Sequence, residues 1–349
     1  MNFDPATFFQ HIHDQIFDPA RLPVAIIAIL VVVFGGLVFG PLGGNANPLL
    51  WRVVDFLFGP LGGKLDKNER KSGDLATRGF IVTVTALVIG YLIGHFFQTL
   101  SVTYPNYKMV DIFALTLVLS AGSGWYALLR LYRAVEGKGG VKGAFYAIAA
   151  TTRTNLTTSD EFTITRVGIG MGAKLLDKGI VAPVLWYLIA GLPAAYLYAT
   201  LAALSWRFGK EGFSKGFGLT ANQLEKLLGM IPNLFSGVLI ALSGLLTPTA
   251  GMTRSLLSLF PAKSGHSDYF QGGAPVTSMA YALKVSLGGA TQDTDGSAIQ
   301  RAWAGPEGAT AKLEAKHLHR GLYITVMAHL LLVLALLVAI VGHGRGFFS

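Results

Sequence analysis

The feature that most constrains this chain is a set of long apolar runs. Four of them, 23–40, 79–100, 110–130 and 321–342, are uninterrupted. A helix needs about 20 mostly apolar residues to cross the hydrocarbon core of a bilayer. The chain has 13% charged residues, whereas soluble domains have about a quarter. The sequence therefore predicts an all-α, polytopic integral membrane protein and not a soluble enzyme.

Two further apolar segments are long enough to cross but are interrupted. Residues 180–206 contain Gly191-Leu192-Pro193 near their centre, and residues 230–248 begin with Met230-Ile231-Pro232. Such segments either cross with a kink or re-enter as hairpins buried in protein. We expect a single membrane domain over 1–349. It is a helical bundle with four clear spans, two interrupted or re-entrant segments and a helical cytoplasmic face.

Basic residues predict the orientation. Arg and Lys number six in 41–78, one in 101–109 and eight in 130–179. Because such residues collect in cytoplasmic loops, 41–78 and 130–179 are predicted to be cytoplasmic. Residues 249–320 are predicted to be cytoplasmic as well. Residues 207–229 are cytoplasmic if both interrupted segments re-enter, which is the favoured version, and lie outside if there are six plain crossings. In either version the protein lies in a bacterial inner membrane with both termini in the periplasm.

Charge and cysteine content limit the partners. The basic residues behind the net charge of +9 are spread along the loops, so a lipid bilayer is the expected surrounding and nucleic acid is not an expected partner. The chain has no cysteine, which excludes disulfides, thiolate metal sites and cysteine nucleophiles.

The loop segment richest in reactive side chains is 151–161. It contains four residues that could bind phosphate or metal: Arg153, Asn155, Asp160 and Glu161. They lie in the first turn of a helix predicted over 158–178 or just before it. Helix N-termini attract phosphate, and a Mg²⁺–phosphate site needs one or two protein carboxylates. The alternative is helix capping alone, since Thr158 and Glu161 have capping-box spacing.

Three other segments have structural interpretations. Gly168, Gly170 and Gly172 have no preceding strand, so close helix packing is favoured over dinucleotide binding. Residues 293–296, Asp-Thr-Asp-Gly, resemble the start of a calcium loop but lack the later Glu, which favours a polar turn over a Mg²⁺ or phosphate site. A short amphipathic helix capped by Thr220 is predicted over 220–229.

The order of several Pro/Gly motifs resembles that of a known family. Residues 181–186, Val-Ala-Pro-Val-Leu-Trp, and 191–193, Gly-Leu-Pro, resemble its Val-Ala-Pro-Leu-Phe-Trp and Gly-Leu-Pro. Residues 271–275 resemble its Asn-Ala-Gly-x-Pro, residues 287–289 its Leu-Gly-Gly, and residues 153–155 its Arg-Asp/Asn-Thr. The chain thus resembles the CobD/CbiB family, the membrane-bound adenosylcobinamide-phosphate synthases of cobalamin biosynthesis.

The resemblance implies an ATP- and Mg²⁺-dependent enzyme. Family members join an aminopropanol phosphate, or a related amine, to the carboxylate of adenosylcobyric acid, so a corrinoid and an amine are the implied substrates. The implied catalytic residues are Arg153, Asn155, Asp160, Glu161 and Asp177, with Asp160 and Glu161 also as metal ligands. The implied cofactor- and substrate-binding residues are Arg166, Gln271, Gly273, Asp293 and Asp295.

The sequence departs from the family at several polar positions. Where the family helix carries Ile-Glu-Ser and then Glu-Asn, this chain has Gly170 and Lys174-Leu175, and the family's Asp-Asp pair falls on Glu225-Lys226. The pattern is typical of a retained fold with altered or lost catalysis. A catalytically silent regulator or accessory subunit with a membrane-protein partner, as in the distantly similar AmpE proteins, is therefore a second hypothesis. A transporter is the third.

Overall fold

The computed structural model describes residues 18, 20–67, 70–104, 108–137, 141–209, 216–248, 250–260, 265–294 and 296–344. The helices are α1 (Arg21–Phe39), α2 (Leu49–Leu65), α3 (Ser72–Thr103), α4 (Lys108–Val118), α5 (Gly122–Val135), α6 (Val141–Thr152), α7 (Glu161–Leu176), α8 (Ala182–Phe208), α9 (Leu219–Leu246), α10 (Met252–Leu257), α11 (Gly273–Leu283) and α12 (Ala315–Gly344). The strands are β1 (Thr154–Asn155), β2 (Leu287–Asp293) and β3 (Ala298–Ala304).

Long apolar helices dominate the fold. Helices α1, α3, α9 and α12 and the joined segment Glu161–Phe208 are each long and apolar enough to cross a membrane. The pair α4–α5 would be a sixth span, bent by 40° at its break. The prediction of a polytopic helical membrane protein is therefore confirmed.

The predicted uninterrupted span 110–130 is wrong in detail, because α4 ends at Val118 and α5 begins at Gly122. The break allows a close crossing with α1. A Cβ atom on Gly122 would lie 2.0 Å from the Val33 carbonyl oxygen, and one on Gly36 would lie 2.2 Å from the Ser123 nitrogen. Small residues that let backbones approach are typical of helix contacts in membranes.

Helix α8 is broken at residues 190–191, as the Gly-Leu-Pro motif predicted. Gly191 has a φ of +74°, which residues with a side chain rarely adopt. The break removes the helical bond between the Leu188 carbonyl and the Leu192 N–H. Side chains replace it, because Arg21 Nη1 donates to Leu188 O over 2.9 Å and Leu192 N donates to Gln98 Oε1 over 3.2 Å.

The break also turns the chain back on itself. Lys178, before α8, and Gly209, after it, line the same cleft. A straight helix between them would be roughly 45 Å long at 1.5 Å per residue, so the two arms of α8 must run side by side. Whether this hairpin re-enters the membrane stays a prediction.

Helix α9 differs from the predictions made from the sequence in two respects. The predicted helix 220–229 and the predicted interrupted span 230–248 form one helix that passes through Pro232 without a break, and it begins at Leu219 without the predicted Thr220 cap. Proline removes the bond to the carbonyl four residues earlier, here that of Leu228. The Trp186 indole N–H donates to that carbonyl over 3.2 Å, which replaces the lost bond.

A small antiparallel sheet of order β1-β2-β3 interrupts the predicted helical cytoplasmic face. The chain turns after Asp293, where the Gly296 N–H donates to the Asp293 carbonyl over 3.0 Å, so the polar-turn interpretation holds for the described residues. The pairing sets Asp293 opposite Thr154. It thereby brings two loop segments that are far apart in sequence to one place.

Candidate functional site

A cleft lies where α2, α7, the returning arm of α8 and the small sheet meet. It contains about 820 Å³ between protein atoms, including its open mouth, and we call it the large chamber. The described lining residues are Asn47, Trp51, Thr151, Thr152, Arg153, Met171, Lys174, Leu175, Lys178, Ala202, Ser205, Trp206, Gly209, Phe270, Asp293 and Ile299.

A second cavity, which we call the small chamber, has about 410 Å³ between protein atoms when its open mouth is included. It shares Thr152, Met171 and Lys174 with the large chamber, so the two are neighbours across one wall. Its other described lining residues are Arg166, Val167, Gly170, Ser267, Gln271, Val276, Leu287, Gly288, Arg301 and Ala302.

The predicted site residue Arg153 lines the large chamber and lies against an aromatic wall. Its guanidinium carbon is 5.4 Å from the centre of the Trp206 ring, and that ring is 5.8 Å from the ring of Trp51. The Trp206 indole donates to the Thr151 carbonyl over 2.8 Å. Trp51 is 4% exposed, and its indole nitrogen has no hydrogen-bond partner among the described residues. This wall suits a flat or apolar group with one hydrogen-bond acceptor.

Asp293 also lines the large chamber, because β2 pairs with β1 directly after Arg153. It is 5% exposed, and its Oδ1 accepts from the Thr294 N–H over 2.6 Å. It is the one carboxylate among the described residues of that lining. The other predicted aspartate of this turn, Asp295, lies outside the described residues.

Asp160 and Glu161 occupy a different position from the one predicted. Helix α7 begins at Glu161 and is capped by Asp160, not by Thr158. The cap forms because Asp160 Oδ1 accepts from the Thr163 N–H over 2.8 Å. Hydrogen bonds from the Thr163 side chain and backbone hold the pKa of Asp160 below its usual value. Both carboxylates are exposed and line neither chamber, so their role in metal binding stays a prediction.

Asn155 has a local role in this loop. Its Oδ1 accepts from the Thr157 N–H over 3.1 Å and from the Thr157 hydroxyl over 2.6 Å. Such a bond stabilises a turn, and Asn155 does not line either chamber. Its predicted catalytic role is not tested by this geometry.

Asp177 is buried below the chambers in a π-helical turn, Asp177–Val181, between α7 and α8. Its carboxylate accepts from Asn233 Nδ2 over 2.6 Å and from Ser236 Oγ over 3.0 Å. Asn233 Oδ1 in turn accepts from the Ala274 N–H over 2.9 Å. A Cβ atom on the predicted site residue Gly273 would lie 2.4 Å from that oxygen. Asp177 therefore joins the π-helical turn to α9, and Asn233 joins α9 to α11 beside Gly273. Neither Asp177 nor Gly273 lines a chamber.

Lys178 and Glu225 form a buried ion pair that the sequence did not predict. Their charged atoms are 3.1 Å apart, and their side chains are 14% and 0% exposed. Glu225 Oε1 also accepts from the hydroxyls of Tyr269 over 2.8 Å and Tyr198 over 3.1 Å. This network fixes Lys178 at the floor of the large chamber.

The predicted residues Arg166 and Gln271 meet in the small chamber. Arg166 donates to the Ala311 carbonyl over 3.3 Å and to Thr163 Oγ1 over 3.1 Å. Gln271 Oε1 accepts from the Ala302 N–H over 2.8 Å. Sequence reasoning missed Arg301 on β3, because the hairpin that carries it was not recognised.

The two chambers are strongly basic. Five cations line them, namely Arg153, Lys174, Lys178, Arg166 and Arg301, against the single carboxylate of Asp293 among the described residues. Glu225 neutralises Lys178, and the described lining contains four further cations beside the carboxylate of Asp293. Such a surface binds phosphate or carboxylate groups.

Comparison with known proteins identifies the family. The sequence profile described as CobD/Cbib protein matches residues 43–325. A cobalamin biosynthesis protein CobD of Sinorhizobium sp. is 26% identical over 272 residues, which are 75% of this chain and 83% of the relative. CobD of Sinorhizobium fredii is 23% identical over 275 residues, 75% of this chain and 82% of the relative.

A probable cobalamin biosynthesis protein CobD of Methanococcus vannielii is 25% identical over 138 residues, 38% of this chain and 44% of the relative. No solved structure was found to match. Because the profile covers most of the chain, the chain belongs to the CobD/Cbib family.

Proposed function

We propose that this protein acts in cobalamin biosynthesis and forms the amide bond between adenosylcobyric acid and an aminopropanol phosphate, driven by ATP. The observation that carries the proposal is the basic cleft of the large and small chambers. Each reactant of this synthesis carries an anionic phosphate or carboxylate group, and amide formation from a carboxylate passes through a charged acyl intermediate. Cations held in a partly enclosed site stabilise such charge far better than they would in water.

The residues present fit a phosphate-bearing cofactor. Arg153, Lys174 and Lys178 supply cations to the large chamber, and the aromatic wall of Trp51 and Trp206 offers a surface for a flat ring. When bound, ATP supplies the leaving group that makes the carboxylate reactive. The chain's own residues bind the anions, exclude water and hold the amine beside the carboxylate.

Few residues of the cleft could bind Mg²⁺. Among the described residues no three His, Cys, Asp or Glu side chains come together as a metal cluster, and Asp293 is the one carboxylate of the described lining. Mg²⁺ in phosphate sites is held by one or two carboxylates and by the phosphates themselves. Asp293 would then be the protein ligand, and Asp160 and Glu161 the alternative predicted from the sequence.

A synthase assay tests the proposal. Detergent-purified protein is given adenosylcobyric acid, aminopropanol phosphate, ATP and Mg²⁺, and the product is followed by mass spectrometry. Arg153→Ala and Lys174→Ala are each expected to lower turnover by roughly 100-fold, the typical effect of removing one group that stabilises transition-state charge. Lys64→Ala, which removes an exposed lysine from the last turn of α2, is the matched control. Loss of turnover in Glu161→Ala would support the metal site predicted from the sequence.

A second candidate is a catalytically silent family member. It is favoured by the position of Gly170 and Lys174, which line the chambers at the positions where the family carries Glu. Such a protein would keep anion binding and act through a membrane-protein partner. No product, while a family enzyme works beside it, together with stoichiometric co-purification of one membrane protein, would select this candidate; product formation would exclude it.

We also propose that the chambers face the cytoplasm of a bacterial inner membrane and that both termini are periplasmic. The distribution of Arg and Lys supports this orientation. So does the position of the cleft, whose walls include residues of 41–78 and 130–179, two segments whose basic residues predict a cytoplasmic location.

A further inference from the structure

The outward face of helix α2 is apolar. Five large apolar side chains on it are exposed, and we call them the outer stripe: Leu49, Val53, Phe56, Leu57 and Leu61. Their positions repeat every three or four residues, so they lie along one side of the helix. A helix that faces water carries polar side chains on its outward side. The outer stripe therefore indicates an apolar surrounding.

The inner face of α2 packs against the end of α8. The rings of Trp51 and Trp206 are 5.8 Å apart, and a Cβ atom on Gly62 would collide with the ring of Phe208. Trp51 and Gly62 are about 16 Å apart along α2, whereas Trp206 and Phe208 are about 3 Å apart along α8. Helix α2 therefore crosses the end of α8 at a large angle.

The end of α8 lies near one boundary of the membrane. The returning arm of α8 runs along the apolar helix α3, because a Cβ atom on Gly94 would lie 2.7 Å from the Pro193 Cα and one on Gly90 would collide with Thr200. The arm runs antiparallel to α3 and ends at Phe208, close to where α3 begins. Since α2 crosses this end at a large angle, α2 lies along the plane of the membrane.

The outer stripe is continuous with the exposed end of a membrane span. Helix α1 ends at Phe39, which is exposed. Phe39, Leu42 and Leu49 line one cavity together, so the apolar surface passes from α1 to α2 without a gap. The lipid that surrounds the end of α1 therefore also reaches the outer stripe.

The length and charge of α2 and its surroundings fit a helix at the membrane surface. Its 17 residues extend about 25 Å, and α2 is not among the candidate spans found in the described residues. The segment 41–78 contains six basic and four acidic residues. This excess of positive charge favours anionic lipid headgroups.

We propose that α2 is an interfacial helix whose outer stripe is embedded in the lipid leaflet on the side of the chambers. Acyl chains cover the stripe, and anionic headgroups lie beside its basic flanks. Because Trp51 on the inner face lines the large chamber, one wall of that chamber then lies level with the headgroups. This inference goes beyond the proposed function, since it holds with or without synthase activity.

The test uses single cysteines, because the chain has none of its own. Phe56→Cys and Leu57→Cys carry a nitroxide on the outer stripe in full-length protein, reconstituted in vesicles of phosphatidylcholine and phosphatidylglycerol. Val88→Cys, at an exposed position near the middle of α3, is the reference for hydrocarbon. Lys312→Cys, at an exposed position between β3 and α12, is the reference for water.

Electron paramagnetic resonance compares collisions of each nitroxide with oxygen, which dissolves in lipid, and with a water-soluble nickel chelate. An interfacial helix is buried about 5–10 Å below the headgroups. The ratio of oxygen to nickel collisions at Phe56→Cys and Leu57→Cys should therefore be at least threefold above that at Lys312→Cys and below that at Val88→Cys.

Two results would overturn the proposal. A ratio at both stripe positions equal to that at Lys312→Cys would show that water covers the stripe and leaves it open to a soluble partner. Spectral broadening at the stripe positions that disappears on dilution with unlabelled chain would show that a second copy covers it. Neither measurement needs turnover, so the synthase assay does not affect the outcome.

Discussion

Removing Lys178 should destabilise the protein more than removing the charge of its partner Glu225. The two side chains differ in their access to water, because Glu225 is 0% exposed and Lys178 is 14% exposed. Lys178 also lines the large chamber. After Glu225→Gln the lysine can turn toward that cleft, whereas after Lys178→Met the carboxylate stays buried.

The size of the effect follows from the contacts of Glu225. Breaking a buried ion pair from one side costs about 3–5 kcal/mol. Two tyrosine hydroxyls, those of Tyr198 and Tyr269, still donate to Glu225 Oε1 in Lys178→Met, so we expect about 3 kcal/mol. Glu225→Gln keeps an acceptor for both tyrosines and leaves Lys178 near water, so about 1 kcal/mol is expected.

The double variant provides the sharper measurement. Lys178→Met combined with Glu225→Gln contains no buried charge at this position and should be more stable than Lys178→Met alone by about 1–2 kcal/mol. The midpoint of thermal unfolding in detergent should fall by roughly 4 °C in Lys178→Met, and part of that loss should be recovered in the double variant. A double variant less stable than Lys178→Met would refute the reasoning, as would a larger loss in Glu225→Gln than in Lys178→Met.

Three further predictions concern the cap, the helix break and the orientation. Asp160→Ala should lower the free energy of unfolding by about 1 kcal/mol. Because the folded pKa of Asp160 is lowered from 3.8, the charge-dependent part of that stability is present above about pH 4 and is lost as the pH falls through the folded pKa; thermal unfolding across pH checks this. Gly191→Ala should cost roughly 2 kcal/mol in thermal unfolding, because φ is +74° and the new Cβ would lie 2.7 Å from Gln98 Oε1. Since the chain has no cysteine, Gly63→Cys and Val102→Cys can be labelled singly in membrane vesicles, and the two should react from opposite faces, Gly63→Cys from the cytoplasmic one.

The sequence predicted the helices better than their breaks. Gly191 and Pro232 both interrupt apolar runs and both were expected to break them. At Gly191 the break is real, but at Pro232 the helix continues, because Trp186 donates to the carbonyl of Leu228 that proline leaves without a partner. That donor lies on another helix, 42 residues away. No local pattern could have distinguished the two positions.

The candidate site was predicted in part for a similar reason. Arg153 and Asp293 were both chosen, and the structure places both in the large chamber because β1 pairs with β2. Asp160 and Glu161 were chosen for the same chemistry but face solvent, since the helix begins two residues later than a Thr158 cap requires. The pairing of β1 with β2, which brings Arg153 and Asp293 together, joins segments about 140 residues apart. It is invisible to capping and periodicity rules.

The resemblance implies that this chain has replaced family glutamates by glycine and lysine, which changes the charge of the small chamber. Gly170 and Lys174 both line the small chamber, and the resemblance in the sequence matches both to positions where the family carries Glu. A carboxylate beside a phosphate contributes to binding through a metal ion between them, whereas a lysine ammonium neutralises the phosphate directly. A site in which lysine replaces the carboxylate therefore keeps its affinity for anions and binds a metal ion less well. Lys174→Glu should therefore weaken the binding of inorganic phosphate without Mg²⁺. Adding Mg²⁺ should restore part of that binding, and this response should be larger than in the unmodified chain. An equal response to Mg²⁺ in both proteins would show that Lys174 has not replaced a metal.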